Sequence, residues 1–209
     1  MSRAARRAAR WQRYWNKQAG SYDRVMAGWE RRLFAGSREW ACSRTAGEVL
    51  EVAVGTGLNF PHYPAGVTLT GVDLSDRMLD LARERAAHLG RQVTLRQGDA
   101  QALPFGDASF DTAVCTLGLC AIPDPQAALD EMLRVLRPGG RLVLLDHVAG
   151  SAWPVRAGQW LLERVTVPIG GEHFLRRPYL SVVARGLEVT EHERFRLGMV
   201  ERLVAHTNG

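Results

Sequence analysis

Glu48-Val49-Leu50-Glu51-Val52-Ala53 runs straight into Val54-Gly55-Thr56-Gly57-Leu58-Asn59-Phe60. The first six residues form a short, mostly apolar run of strand length. The glycines that follow let the backbone come close to a ligand, and the next helix N-terminus favours an anionic group. A dinucleotide fingerprint, G-x-G-x-x-G, needs glycine at position 60. Phe60 stands there instead, and its ring would obstruct the close helix–strand packing of a pyrophosphate site. The turn therefore fits a ligand without a diphosphate, such as an adenosyl amino acid, better than a nicotinamide dinucleotide. A Gly-x-Gly turn alone is a weak signal, and its meaning depends on what surrounds it.

Working outward, four further runs have strand length: Val67 to Val72, ending at Asp73; Gln92 to Arg96; Thr112 to Leu117; and Arg141 to Leu145, after the breaker Pro138-Gly139-Gly140. Several are apolar almost throughout, as strands buried on both faces are. Helical patterns lie between them. Ser75 is a suitable N-cap, Met78, Leu81, Ala82 and Leu89 recur at helical spacing, and Gly90 is a natural stop. Leu129, Met132, Leu133 and Leu136 fall at i, i+3, i+4 and i+7 ahead of Pro138. Such alternation predicts right-handed βαβ crossovers. Leu187 to Phe195 and Met199 to His206 read as two strands joined at Gly198. The expected fold is α/β: a doubly wound, Rossmann-like, mostly parallel sheet with an antiparallel edge strand and an N-terminal helical lid. Residues 1–46 are read as the lid. Residues 47–209 are read as the main domain, with an insertion at 151–186 that covers the mouth of the cleft.

Composition excludes several classes. With 46% hydrophobic and 23% charged residues in 209, the chain reads as globular rather than disordered or coiled-coil. It has no apolar run long enough to span a bilayer. Three cysteines do not make a disulfide scaffold, and the N-terminus shows no signal-peptide core, so a cytoplasmic setting is expected. Residues 1–46 carry 11 basic and 3 acidic side chains, whereas residues 47–150 carry 8 and 13. All six tryptophans lie outside residues 49–148. Ala4, Ala8, Trp11 and Trp15 share one face of an arginine-rich helix. That helix can lid an apolar pocket or, through residues 1–18, lie on a membrane surface. The basic excess sits on one terminal segment, so no nucleic-acid partner is expected.

Two carboxylates extend the reading of the glycine turn. Asp73 ends the second strand, 16 residues after Gly57. There it can accept hydrogen bonds from both ribose hydroxyls of an adenosine. Asp99-Ala100 follows the third strand, where a carboxylate can meet the adenine amine and a backbone N–H a ring nitrogen. Both sit at the carboxyl ends of strands, where open α/β sheets bind ligands.

From about residue 47 to 148 the chain resembles the class I S-adenosylmethionine-dependent methyltransferases. The stretches that carry the resemblance are Val49 through Gly57, Asp73, Gly98-Asp99-Ala100, Ala102-Leu103-Pro104-Phe105, Ser109-Phe110-Asp111 and Arg134-Val135-Leu136-Arg137-Pro138-Gly139-Gly140. Ala19-Gly20-Ser21-Tyr22-Asp23 is similar to the lid segment of the quinone C-methyltransferase branch. Ala53 departs from most members, which have glycine there; the quinone branch also shows alanine. Cys115 through Cys120, Asp146-His147-Val148-Ala149 and Gly170-Gly171-Glu172-His173-Phe174 resemble animal enzymes that methylate alkyl thiols. Those relatives carry a hydrophobic N-terminal anchor, where this chain has an arginine-rich segment. Bacterial phospholipid N-methyltransferases are similar over the core and share the glycine turn followed by His62-Tyr63.

The resemblance implies S-adenosylmethionine as cofactor and S-adenosylhomocysteine as product, with in-line displacement on the sulfonium methyl. It implies cofactor contacts from Tyr22, Glu51, Gly55, Thr56, Gly57, Asp73, Leu74, Met78, Asp99, Ala100 and Thr116. Glu51 would orient the glycine loop or meet the cofactor amino group, and Tyr22 would close over the methionine part. No metal is expected, because the six histidines show no ligand spacing and Cys115 and Cys120 are five apart. His147 is the best candidate for a general base, with a pocket-lining role as the alternative. The acceptor is expected to be small and lipophilic, a thiol or similar. A membrane-surface phosphatidylethanolamine N-methyltransferase is the second reading, and a non-catalytic adenosine-binding module the third.

Overall fold

The computed structural model describes residues 3–34 and 36–208. Met1 and Ser2, and the side chains of Arg3, Ala4, Ala5 and Arg7, lie outside what is described, and with them part of the expected arginine-rich face. The chain opens with a long helix, α1 (Arg3–Trp29), a π-turn (Glu30–Phe34) and a short α2 (Ser37–Cys42). Then follow β1 (Glu48–Val52), β2 (Thr68–Asp73), α3 (Asp76–His88), β3 (Val93–Gln97), β4 (Phe110–Thr116), α4 (Pro125–Val135) and β5 (Leu136–His147). The C-terminal part adds α5 (Trp153–Gly170), α6 (Pro178–Ala184), β6 (Glu188–Phe195) and β7 (Val200–His206).

Seven strands form one sheet in the order β3-β2-β1-β4-β5-β7-β6. The first five are parallel, and β7 runs antiparallel to both β5 and β6. The expected antiparallel edge is thus a hairpin whose second strand is inserted inside the sheet. Its turn holds Gly198 at φ +73°. β5 starts earlier than expected, at Leu136, because Leu136 pairs with Phe110 ahead of a register shift. The helical face read through Leu136 therefore ends at Val135.

Apolar runs become central strands because both sheet faces are covered. On one face Leu50, Val52, Ala113, Cys115, Leu142 and Leu144 pack with Ala128, Leu129 and Met132 of α4. On the other, Val49, Leu69, Val114 and Val143 pack with Leu79, Ala82 and Ala86 of α3. Each fully buried leucine or valine contributes roughly 1.5–3 kcal/mol. α3 begins where expected: the Ser75 hydroxyl accepts the Met78 amide at 3.1 Å. Strand order reverses between β1 and β4, so the crevice at their carboxyl ends is the place where such a sheet binds ligands.

Candidate cofactor site

A cavity with about 710 Å³ of empty space, part of it open to solvent, lies at those strand ends. Its floor comes from the loops after β1, β2, β3 and β4: Ala53 and Gly55, Asp73 and Leu74, Gly98 to Ala100, and Leu117 and Gly118. Met78 of α3 and the segment Ala121 to Pro123 close two sides. Trp11, Trp15 and Tyr22 of α1 complete the wall. The apolar face of α1 is thereby turned onto the protein, with Trp15 and Tyr22 meeting edge to face at 6.3 Å. Burial pushes the Tyr22 phenol well above its ordinary value.

Asp73 is held by the backbone around it. Its Oδ2 accepts the Gly55 amide and its Oδ1 the Ser75 amide, each at 2.8 Å. Burial raises its pKa from the ordinary carboxylate value, against the pull of these amides. A carboxylate offers about four acceptor positions, and the Leu74 amide also bears on this one, which leaves room for a further donor. Asp99 Oδ1 accepts the Gln101 amide at 2.9 Å and the Gln101 side chain at 2.8 Å.

Two cavity residues sit in a conformation that favours glycine. Ala53 has φ +56° and Leu117 has φ +54°. Each such non-glycine residue costs about 1–2 kcal/mol. The geometry gives a physical reason for the glycine that resembling sequences carry at the position of Ala53. Gly118 is required between them: a Cβ there would stand 2.9 Å from the Ala53 Cβ and 2.8 Å from Cys115 Sγ.

Of the expected cofactor contacts, Tyr22, Gly55, Asp73, Leu74, Met78, Asp99 and Ala100 line the cavity. Glu51, Thr56, Gly57 and Thr116 are not among the residues that line it. Glu51 is buried, accepting Asn59 Nδ2 at 2.7 Å and the Tyr63 hydroxyl at 3.0 Å. Burial pushes its carboxyl up to about 7. Asn59 Nδ2 also donates to Thr116 Oγ1 at 2.8 Å. Arg38 Nη1 donates to Asn59 Oδ1 at 2.8 Å, and its Nε pairs with Glu30. Arg38 in this network escapes sequence reasoning, since it belongs to no spaced motif, and Tyr63 was noted only as following the glycine turn, with no role. Asn59 could have been singled out by its place in the glycine turn. At Gly57 a Cβ would stand 2.4 Å from the fully buried Phe60 ring, which fills the space above the turn. Thr56 donates to Asp23 of α1 at 2.5 Å.

Two further expected residues or segments are placed elsewhere. Among the described residues that line this cavity none comes from 151–186, and Trp11 and Trp15 of α1 line it instead. Nor does His147 reach the wall. It stacks on Phe174, with ring centroids 4.4 Å apart, and its Nδ1 is buried without a hydrogen-bond partner. Burial lowers its pKa to about 4, so it is uncharged at neutral pH. Ligating atoms of Cys120, Asp146 and His147 lie within 4.8 Å of one another, a proximity that residue spacing does not show. The Asp146 oxygens accept the Cys120 and His147 amides at 2.9 and 2.8 Å, which closes much of this cluster on itself.

Residues 50–144 match the family model described as a methyltransferase domain. This stretch is a class I S-adenosylmethionine-dependent methyltransferase domain. The domain is 41% identical over 126 residues to a phosphatidylethanolamine N-methyltransferase of Cereibacter sphaeroides, covering 59% of this chain and 62% of that protein. It is 34% identical over 137 residues to a human thiol S-methyltransferase, covering 61% and 56%. The chain thus spans less than two thirds of these relatives' length. A solved S-adenosylmethionine-dependent methyltransferase of Thermotoga maritima shares the fold, with a TM-score of 0.69 at 24% identity over 94% of this chain and 99% of that one. The cofactor of the methyltransferase domain's family is S-adenosylmethionine. The cavity suits it: two carboxylates face a mostly apolar slot, and the Gly55 backbone forms part of the floor.

Proposed function

We propose that the chain transfers the methyl group of S-adenosylmethionine to a small lipophilic acceptor, a thiol or a similar nucleophile. The carrying observation is that Asp73 and Asp99 share one cavity under a roof of Trp11, Trp15 and Tyr22. When bound, the cofactor supplies an electrophilic methyl on a sulfonium whose leaving group is a neutral thioether. Asp73 would hold the ribose with its remaining acceptor capacity. Asp99 would take the adenine amine, with Leu74, Met78 and Ile122 against the ring. Tyr22 and the two tryptophans would exclude water and align the acceptor.

Glu51, Thr56, Gly57 and Thr116 would act indirectly, holding the glycine loop in shape through Asn59, Asp23 and Phe60. A thiol loses its proton with an ordinary pKa near 8.5, so a thiolate can attack without an enzymatic base. His147, set off the wall, would support Phe174 rather than move a proton.

Calorimetry with S-adenosylmethionine and transfer of a labelled methyl to a panel of thiols, amines and phenols test this reading. Binding together with labelled lipophilic product is expected. Binding with no transfer to any acceptor would make the domain a non-catalytic adenosine-binding module.

A further inference from the structure

A surface helix of a folded protein normally turns its apolar side inward. Helix α5 does the reverse. Its inward positions include Gln159, Glu163 and Thr166, spaced i, i+4 and i+7. Gln159 is buried, donating to the Val148 carbonyl at 2.8 Å and accepting the Gly150 amide at 2.8 Å. Glu163 accepts the amides of Phe174 and Leu175 at 2.5 and 2.8 Å. Thr166 donates to the Glu172 carbonyl at 2.9 Å. The outward side carries Trp153, Trp160, Leu161, Leu162, Val165 and Ile169, all exposed and between 45% and 73% accessible. Leu161, Val165 and Ile169 make a stripe at i, i+4 and i+8. These six large exposed side chains all belong to one 18-residue helix.

Basic side chains stand beside this face. Arg164 lies over the Trp160 ring at 3.9 Å. Arg10 of α1 donates to the Pro168 carbonyl at the end of α5. Arg6, Arg10, Arg13 and Lys17 are exposed on α1, and the first 22 residues contain six basic and no acidic side chains. The one acidic residue of α5, Glu163, is already engaged inward.

We propose that α5 is a docking face for an anionic lipid surface, its apolar stripe entering the acyl boundary while Arg164 and the α1 cations meet the headgroups. A second copy of the chain on the same face would bring two cationic α1 ends into one contact, against their like charge. A lipid surface carries the complementary sign. Among the described residues no helix is long and apolar enough to cross a membrane. The end of α5 packs on the lid: a Cβ on Gly171 would stand 2.8 Å from the Trp11 ring, and Trp11 lines the cavity. Docking would therefore set the cavity roof beside the bilayer, where a lipophilic acceptor dissolves. This last consequence rests on the acceptor proposed above; the docking itself does not.

The test is co-sedimentation of the full chain with vesicles of phosphatidylcholine alone or mixed with phosphatidylglycerol. The variants are Val165→Glu with Ile169→Glu, and separately Leu161→Glu. These positions are exposed, and circular dichroism verifies the fold. The unchanged chain is expected to pellet with the anionic vesicles, and the double variant to lose on the order of tenfold or more in partitioning. Calorimetric affinity for S-adenosylmethionine should be the same in all variants, which separates this outcome from failure of the cofactor site. The proposal is overturned if the unchanged chain stays in solution with anionic vesicles, or if the variants pellet equally. It is also overturned if lipid-free ultracentrifugation shows a dimer that the variants dissolve, since a second copy would then cover the face.

Discussion

The carboxylate of Asp23, on the lid helix, pairs with the guanidinium of Arg85, on α3, at 2.5 Å. Arg85 also donates to the Thr56 carbonyl at 2.7 Å, and Thr56 donates back to Asp23. Lid, glycine turn and α3 thus meet at one point. A second tie joins Ser75 to Asn16 of α1 at 2.6 Å. The closure of the cavity therefore depends on a polar latch as well as on the tryptophans.

Loosening that latch should open the lid. Both partners are partly exposed, so their pair contributes no more than about 1 kcal/mol. Asp23→Ala is expected to weaken cofactor affinity by up to about fivefold and to speed proteolysis within α1. Calorimetry and limited proteolysis measure the two effects; an unchanged cleavage rate would show that the Asp23–Arg85 pair does not hold the lid.

Asp73→Ala removes the carboxylate assigned to the ribose and also frees the Gly55 and Ser75 amides. Loss of charge-assisted hydrogen bonds of this kind costs about 1–3 kcal/mol. Titration calorimetry should show a correspondingly weaker S-adenosylmethionine complex. Equal affinity in the variant would remove Asp73 from the cofactor site.

Ala53→Gly should not carry the usual penalty for glycine next to a strand. Ala53 has φ +56°, so removing its Cβ relieves left-handed strain. A gain of up to about 1 kcal/mol is expected in urea denaturation. A clear loss would mean that the contact between Ala53 and the chain at Gly118 outweighs the strain.

The buried carboxyl groups predict a pH dependence. Burial sets Glu51 and Asp146 at about 7 in the folded chain, well above the ordinary carboxylate range. Between the two values the folded state keeps a proton that the unfolded state releases. Their contribution to stability is therefore largest at low pH and declines as pH rises toward 7. His147, at about 4, works in the opposite sense: between 4 and its ordinary value of 6.5 the unfolded state binds the extra proton, so stability rises with pH. Glu51→Gln removes one of the carboxyl contributions. Thermal melts at about pH 5 and about pH 8 should show the unchanged chain losing ground to the variant at the higher pH. A gap independent of pH would place the Glu51 titration outside this range.

The glycine turn, Asp73 and Asp99 were legible because strand tips and loop spacing are local properties of the chain. Seven of the contact positions that the resemblance implied line the cavity, Tyr22 among them from the lid helix rather than from a strand tip. Glu51 and Thr116 were expected at the cofactor because the resemblance implies it. Which way their side chains point depends on Arg38, Asn59 and Tyr63, which are brought to them from separate segments. The same holds for the roof. The insertion at 151–186 read as a cover over the cleft, yet Trp153 and Trp160 are exposed while Trp11 and Trp15 line the cavity.

The order of strands and helices, the antiparallel hairpin and the two carboxylates at the cavity follow from residue periodicity and turn chemistry, which act within a few residues. The latch between Asp23 and Arg85, the placing of His147 against Phe174 and the outward apolar face of α5 were decided only by the tertiary structure. They depend on which distant surfaces are covered, and burial is a property of the packed chain rather than of any one segment.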